Sequence, residues 1–206
     1  MNTTYSTYTE RVLIATPAIL GYQLKYFSLG HCLILKGSNS RFINGVYNFI
    51  TKDDIARRLG LDLGIIPEFV FAIIACSTSY DEFKDDITNG EFTKVLNDMV
   101  ETIKTYDIQT IIDSIYAFVL YLNKGTEAPS FIPKNDESVE VSSSPVSNEE
   151  NIMSTLMTDC GYTRNECLNL PLTETLSAYL LYAHKMDKIM LVSKEVYELT
   201  KKMKAK

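Results

Sequence analysis

The residue types that could carry acid–base, nucleophilic or metal chemistry are few in this 206-residue chain, which has two histidines and four cysteines. His31 adjoins Cys32, but neighbouring residues on a helix point about 100° apart, so they make a poor shared metal site. Cys160 and Cys167 are separated by six residues, without a histidine or second cysteine pair nearby, which is not a zinc pattern. A cysteine–histidine pair that meets only in the folded chain stays open, although no flanking signature supports one.

The histidines and the remaining cysteines fit structural positions. We predict that His31 is a helix residue at the surface of its unit and that His184 is a surface residue near a helix end. Cys32 and Cys76 lie in apolar runs, where cysteine behaves as a small core residue. Because nothing resembles a disulfide framework, the simplest compartment is a reducing cytoplasm.

Paired acidic residues are the other candidates for chemistry, because two neighbouring carboxylates can hold a divalent cation or exchange protons. The pairs are Asp53–Asp54, Asp81–Glu82 and Asp85–Asp86. They also stand where helix N-termini attract acids, and we favour that structural interpretation. Gly60 and Gly64 form no phosphate loop, since no Gly-Lys-Ser/Thr follows them. The sequence therefore predicts no catalytic residue, no cofactor and no metal ligand.

The composition bounds the class of partner. Hydrophobic residues make up 46% of the chain, the net charge is −6 and the pI is near 5.0. Phosphate binding needs clustered Lys and Arg, so nucleic acid is not the expected partner. The basic tail, which contains Lys201, Lys202, Lys204 and Lys206, fits a solvated helix end. The polar N-terminus is not a signal peptide, and the apolar run 61–76 is shorter than a membrane span.

Hydrophobic periodicity and capping patterns predict a mainly α fold. Helices are expected from Ser28 to Gly37, from a Thr51 cap to Gly60, over 65–76, from a Ser79 cap to Gly90, over 92–103 and over 108–122. Further helices are expected over 152–161, after a Thr163 cap, after Pro171 and over 193–204. Residues 38–50 are expected to form a loop, residues 1–10 to be disordered or extended, and the pattern over 12–24 selects no state.

A change of composition divides the chain. Residues 125–149 hold three prolines, six serines and several acids, which is typical of a disordered or extended linker. Phe131 and Ile132 are the apolar exception, and they either dock onto a neighbouring surface or stand exposed. The sequence thus predicts an N-terminal helical domain over 1–124, a flexible acidic Ser/Pro linker over 125–149 and a small C-terminal helical module over 150–206.

The segment from Leu168 to Lys188 is the candidate binding element. Apolar residues recur there at helical spacing after Pro171, and two tyrosines flank the stripe. The candidate partner-binding residues are Leu172, Leu176, Tyr179, Leu180, Tyr182, Ala183 and Met186. A module of this size cannot bury such a face by itself, so the stripe needs either the rest of the chain or another protein.

Two stretches resemble proteins encoded in the tail-gene region of tailed bacteriophages. The first is Phe27–Leu35 together with Ala75–Phe83; the second, Cys160–Leu176, combines a Gly-aromatic pair, a capped acidic turn and an apolar-Pro-Leu helix. Two features depart from the pattern: Tyr162 stands at its Trp-like position, and the acidic linker is long. The resemblance implies a tail assembly chaperone that binds an aggregation-prone tail protein, the tape-measure protein, and it supplies no catalytic residues.

The leading functional hypothesis is therefore a non-enzymatic assembly protein of a tailed phage, acting in the host cytoplasm on a protein partner through amphipathic helices. The alternative is a virion structural protein, such as a tail or connector component, in which case the chain would reside in the particle. A small enzyme or metal protein is the third hypothesis. Neither a nucleic acid nor a membrane is an expected partner, and self-association into a homo-oligomer stays open.

Overall fold

The computed structural model describes residues 16–44, 51–90, 92–133 and 148–204. Within these ranges the protein has eleven helices and two small antiparallel sheets of two strands each, so the predicted mainly α class is confirmed. The described residues up to 126 form one compact unit, and those from 127 form another. They are called here the N-terminal unit and the C-terminal unit.

The N-terminal unit begins with a short hairpin and continues with seven helices. Its elements are β1 (Ala18–Ile19), β2 (Tyr22–Gln23), α1 (Leu29–Gly37), α2 (Arg41–Asn44), α3 (Lys52–Leu61), α4 (Ile65–Ser77), α5 (Tyr80–Thr88), α6 (Phe92–Ile103) and α7 (Ile108–Gly125). The hairpin lies in the stretch for which the sequence selected no state. Its two turn residues, Leu20 and Gly21, both have positive φ angles, as a tight two-residue hairpin turn requires.

Helix α4 is the centre of the N-terminal core. Nine of its 13 residues are buried, because the helix is apolar on nearly every side and is packed by neighbours around it. Phe69 on α4 meets Phe42 of α2 and Phe118 of α7, with the three ring centroids 5.7 to 5.9 Å apart. On another side of α4, Phe71 contacts Phe83 of α5. Helix α7 is rich in β-branched residues, and several of them are buried, so tertiary packing rather than helix propensity stabilises it; they are Ile111, Ile112, Ile115 and Val119.

Two capping boxes start helices of this unit where the sequence predicted them. The Thr51 hydroxyl accepts the Asp54 N–H at 3.1 Å, and the Asp54 carboxylate accepts the Thr51 N–H at 3.1 Å. Ser79 and Glu82 repeat the same reciprocal contacts at the start of α5. The predicted stop of α3 at Gly60 is wrong, because the helix continues through this glycine and ends at Leu61.

The predicted loop over 38–50 contains a short helix, α2, whose first residue joins two acidic side chains. The Arg41 guanidinium donates to Glu68 at 2.6 Å and to Asp62 at 2.7 Å, and the Arg41 backbone N–H also donates to Glu68. These long-range contacts hold the turn in helical form. They depend on residues distant in the sequence, so local pattern did not reveal them.

His31 is buried, and its predicted place at the surface of the unit is wrong. Its Nδ1 accepts the Ser28 backbone N–H at 3.1 Å, so the imidazole completes the capping box of α1. Its Nε2 lies 2.8 Å from the Thr78 carbonyl oxygen, to which it donates in the neutral ring. The side chain therefore links the start of α1 to the end of α4, and the Phe27 ring stacks on it.

The C-terminal unit combines four helices with a two-stranded sheet. Its elements are β3 (Phe131–Pro133), α8 (Asn148–Asp159), α9 (Arg164–Asn169), α10 (Leu172–Lys185), β4 (Ile189–Leu191) and α11 (Lys194–Lys204). Strand β3 pairs antiparallel with β4, and Ile132 stands opposite Met190. The Val192 N–H also donates to the Ser130 carbonyl at 3.1 Å. Residues 131–133, placed by composition in the linker, are thus a strand of the C-terminal unit.

Several predictions concern residues outside those that the structure describes. They include the disordered or extended N-terminal residues 1–10, the rest of the expected loop over 45–50 and most of the predicted linker, residues 134–147. The last basic residue of the tail, Lys206, also lies outside the described residues.

Candidate binding surface

Helix α10, the predicted binding element, is positioned by the turn that precedes it. The Thr163 hydroxyl accepts the Glu166 N–H at 3.2 Å, and the Glu166 carboxylate accepts the Thr163 N–H at 2.7 Å. This capping box starts α9 as predicted. Pro171 then precedes α10, and its carbonyl accepts hydrogen bonds from the Thr175 N–H and hydroxyl. The sharp stop between α9 and α10 sets the direction of the longer helix.

Three of the seven predicted partner-binding residues belong to the core of the unit. Leu172, Leu180 and Ala183 are buried, and Leu180 and Ala183 pack with Ile189 of β4. Tyr179 is partly buried and packs against this same cluster. The inner part of the stripe is thus covered by the chain itself. These residues hold the unit together and are not a free surface.

The other three predicted residues lie further from this core. Leu176 and Tyr182 are half-buried. A hydrogen bond to the Asp159 side chain raises the pKa of Tyr182 and ties α10 to the end of α8. Met186 follows the end of α10 and is 53% exposed. Of the seven candidates, Met186 alone has a freely accessible apolar side chain.

Other exposed apolar side chains of the C-terminal unit were missed by the sequence analysis. Leu181 follows buried Leu180 on the next position of α10, and its side chain stands on the exposed side. Met190 is exposed between Ile189 and Leu191, which have the other orientation in β4. Met157 of α8 is exposed as well. Recognition of the strand would have placed Met190 on the face opposite Ile189 and Leu191, because successive strand side chains point to opposite faces.

Helix α11 is the least covered element of the unit. None of its described side chains, from Lys194 to Met203, is buried. Val196, Leu199 and Met203 recur at helical spacing, and Leu199 and Met203 are 60% and 76% exposed. This stripe is exposed and is not part of the core of the unit.

The N-terminal unit also exposes two large apolar side chains on one ordered turn. Leu61 and Leu63 are 78% and 70% exposed, and they flank Asp62 between α3 and α4. Asp62 bonds to Arg41 and accepts the Gly64 N–H at 2.8 Å, so the turn is fixed from both sides. Leu61 and Leu63 are called the leucine pair. Because the turn is fixed, the pair forms a preorganised apolar projection.

The cysteines of the N-terminal unit sit in a buried structural setting. Burial raises the pKa of the Cys76 thiol to about 12, which leaves it protonated and unreactive at neutral pH. Burial also raises the pKa of Tyr121, whose hydroxyl donates to the Lys25 carbonyl at 3.0 Å. In the C-terminal unit, burial raises the pKa of the Cys167 thiol. No thiolate nucleophile arises at either Cys76 or Cys167.

Two of the three acidic pairs, Asp53–Asp54 and Asp81–Glu82, lie in the first turns of α3 and α5. The expected helix-start position is wrong for Asp85–Asp86, which lies in the second half of α5. A hydrogen bond from the Thr51 hydroxyl lowers the pKa of Asp54, and one from the Ser79 backbone N–H lowers the pKa of Glu82. Across the described ranges, no group of three or more His, Cys, Asp and Glu side chains is arranged to hold a metal ion. His184 is exposed, and its Nδ1 lies 3.1 Å from the Ile189 carbonyl.

Comparison with known proteins adds no relative. No family model, no curated protein and no solved structure matches this chain. Among the helices that the structure describes, none combines the length and the apolar character that crossing a membrane requires.

Proposed function

We propose that this chain is a non-enzymatic assembly protein of a tailed bacteriophage, acting as a tail assembly chaperone that binds the tape-measure protein in the host cytoplasm. The proposal joins the resemblance of Phe27–Leu35, Ala75–Phe83 and Cys160–Leu176 to one structural observation. That observation is the concentration of exposed methionines in the C-terminal unit.

Five of the seven methionines lie in residues 148–204, and four of these five are exposed. The four are Met157, Met186, Met190 and Met203. A single exposed apolar residue is normal on any protein, whereas four exposed residues of one flexible apolar type in the same unit indicate a contact surface. Methionine is unbranched and polarisable, which suits a surface that must fit apolar helices of variable shape. A chaperone for a long helical client needs that adaptability.

The proposed contact residues keep Met186 from the predicted set and replace its buried members. Leu172, Leu180 and Ala183 form the core, so the client contacts are assigned to the side chains that remain accessible around it. These are Leu181 at the end of α10, Met186 directly after the helix and Met190 on β4. Binding would cover these side chains together with apolar helix faces of the client, which would otherwise aggregate.

The proposal is tested by co-expressing the chain with a tape-measure protein and measuring the soluble fraction of the client. The double variant Met186→Gln with Met190→Gln keeps side-chain length and removes apolar character. We expect it to lower client solubility toward the level without the chain. The matched control, Lys185→Gln with Lys188→Gln, changes exposed charged residues beside the same sites and should leave solubility unchanged.

Deleting residues 148–206 is the coarser version of this test. If the deleted chain and the methionine variant both keep the client as soluble as the natural chain does, the chaperone proposal fails. If only the deletion has an effect, the contact residues lie elsewhere in the deleted segment, and the assignment to Met186 and Met190 is wrong.

A virion structural protein is the second candidate, and the leucine pair favours it. Leu61 and Leu63 are held on a turn fixed by Arg41 and Asp62, and a rigid apolar anchor suits a permanent contact more than a transient one. This function predicts that mass spectrometry finds the chain in purified particles. It also predicts that Leu61→Gln with Leu63→Gln lowers its incorporation, whereas a chaperone would be absent from the particle.

A further inference from the structure

Helix α11 has an apolar stripe at helical spacing, and the described residues of its own unit leave that stripe exposed. It spans 11 residues, and no described side chain from Lys194 to Met203 is buried. Isolated helices of this length are marginal in water, because most helix stability in proteins comes from packing of an apolar face. The Ser193 hydroxyl accepts the Val196 N–H only at 3.4 Å, which is a weak cap. Among the described residues of its own unit, nothing buries the apolar face of α11.

The stripe of α11 has the spacing of a coiled-coil seam. Val196, Leu199 and Met203 are separated by three and four residues, which places them at positions a, d and a of a heptad. The residues that flank the seam on one side, at the two g positions, are then Glu195 and Lys202. The e position between them is Thr200. One flank of the seam thus carries one negative and one positive charge.

The charges on this flank favour a second copy of α11 as the partner, in antiparallel orientation. When two copies of α11 pair antiparallel, g positions face g positions, so Glu195 of one copy lies opposite Lys202 of the second copy. The symmetry repeats this contact, which gives two opposite-charge pairs. In a parallel pair Glu195 would face Thr200, and Lys202 would face no residue of the helix. Antiparallel alignment also places opposite ends of the two helix dipoles side by side.

The apolar residues fit the same alignment. With Glu195 opposite Lys202, Val196 lies opposite Leu199 of the second copy, and Leu199 lies opposite its Val196. Met203 then reaches Val192 of the second copy, a half-buried residue just before the helix. The charged flank and the apolar seam therefore agree on one register.

We propose that α11 pairs antiparallel with α11 of a second copy of this chain, forming a homodimer through Val196, Leu199 and Met203 with Glu195–Lys202 contacts on its flank. This inference does not depend on the proposed function, because it uses only α11. Two helices of 11 residues bury less area than a standard protein interface, so the dimer is weak and forms in proportion to concentration.

The experiment is sedimentation equilibrium of the full chain at low salt, from low micromolar to near-millimolar concentration. Natural protein should shift from monomer to dimer across this range. Glu195→Lys and Lys202→Glu each place like charges opposite one another at both contacts, and each should weaken dimerisation roughly tenfold. The double variant, Glu195→Lys with Lys202→Glu, restores opposite charges and should recover the natural affinity.

Mixing the two single variants supplies the sharpest control. Each one should dimerise poorly alone, whereas the mixture should form a heterodimer, because each g position then faces an opposite charge. Glu198→Lys and Lys201→Glu change charges outside the seam and its flanks, so these variants should dimerise like the natural chain. Leu199→Ser should abolish the dimer.

Three outcomes overturn the proposal: a natural chain that stays monomeric at all concentrations, a double variant as weak as the singles, or an unaffected Leu199→Ser variant. If the chain is monomeric and Leu199→Ser instead lowers client solubility, the stripe belongs to the client. If the chain dimerises as proposed but does not raise the solubility of the client, the pairing of α11 stands and only the chaperone function is contradicted.

Discussion

At the scale of single residues, the side chains that looked most suited to chemistry have structural roles. His31 completes a helix cap and bonds to a carbonyl 47 residues further along the chain. Asp54 and Glu82 are partners in capping boxes, and Cys76 is a buried thiol with a raised pKa. Each of these polar groups is tied to backbone or hydroxyl partners, which explains its position without a substrate.

His31 makes the stability of the N-terminal unit depend on pH. Burial lowers its pKa in the folded state below the ordinary value of 6.5. Below that pH the unfolded chain binds a proton that the folded chain does not, so stability is complete above about pH 6.5 and declines as the pH falls. Urea unfolding should give a lower free energy of unfolding at pH 5.5 than at pH 7.5.

The His31→Gln variant should lose most of this dependence, and lost hydrogen bonds should destabilise it by roughly 1–2 kcal/mol at neutral pH. His184→Gln, at an exposed position, is the matched control and should keep the natural pH profile. The pKa of the Asp54 carboxyl is lowered from its ordinary value of 3.8, so its contribution to stability changes at lower pH than that of His31. An unchanged pH profile in His31→Gln would contradict the assignment.

At the scale of elements, sequence patterns predicted the elements that depend on neighbouring residues and missed those that depend on residues distant in the sequence. The Thr51, Ser79 and Thr163 caps were predictable because their partners stand three residues away. Helix α2 depends on Arg41 contacts with residues beyond position 60, and the strands have only two or three residues each. Such elements leave no periodic signal long enough to recognise.

The sequence predicted the position of helix α10 but not which of its faces is buried and which is exposed. Periodicity located α10 and its apolar stripe, but the stripe alone could not show whether the chain itself covers it. Pairing of β3 with β4 supplied that cover, since β4 places Ile189 against Leu180 and Ala183. The exposed residues Leu181 and Met190 became visible only with this packing.

Strand β3 should contribute measurably to the stability of the C-terminal unit. We expect a fragment of residues 127–206 to unfold cooperatively in a thermal circular dichroism experiment. A fragment of residues 150–206, which matches the module predicted from sequence, lacks β3 and the start of α8 and should melt at lower temperature or without cooperativity. The reason is that β4 then loses its only paired strand in the described structure.

A fragment of residues 135–206 distinguishes the contribution of strand β3 to stability from that of the acidic segment that follows it. It keeps the acidic residues and all of α8 but lacks β3, so it should behave like the shortest fragment. If it melts like residues 127–206, the strand contributes nothing, and the linker boundary inferred from composition is the better description.

At the scale of the whole molecule, the two units differ in how much of their apolar surface they bury. Among the described residues, the fully buried phenylalanines all lie in the N-terminal unit, and they are Phe42, Phe69, Phe83 and Phe118. The C-terminal unit has a small cluster built on Leu180, Ala183 and Ile189. The larger apolar core therefore lies in the N-terminal unit.

Hydrogen exchange should follow this division. Amides of α4 should exchange most slowly, because nine of its residues are buried, and amides of α11 should exchange fastest among the helices. Mass spectrometry of peptides from dilute protein would measure both. Raising the protein concentration should slow exchange in α11 specifically if the helix pairs with a second copy. Equal protection of α4 and α11 in dilute protein would contradict this ranking.

The close approach at the end of α7 restricts what evolution can place at position 125. A Cβ atom on Gly125 would lie 2.5 Å from the Cβ of Phe27. Phe27 in turn touches the rings of His31 and Tyr121, so it has little room to retreat. When all amino acids are tested at this position and folded chains are selected, glycine should be recovered almost exclusively. This is unusual for a residue near the sequence boundary between two units, where substitutions are usually well tolerated.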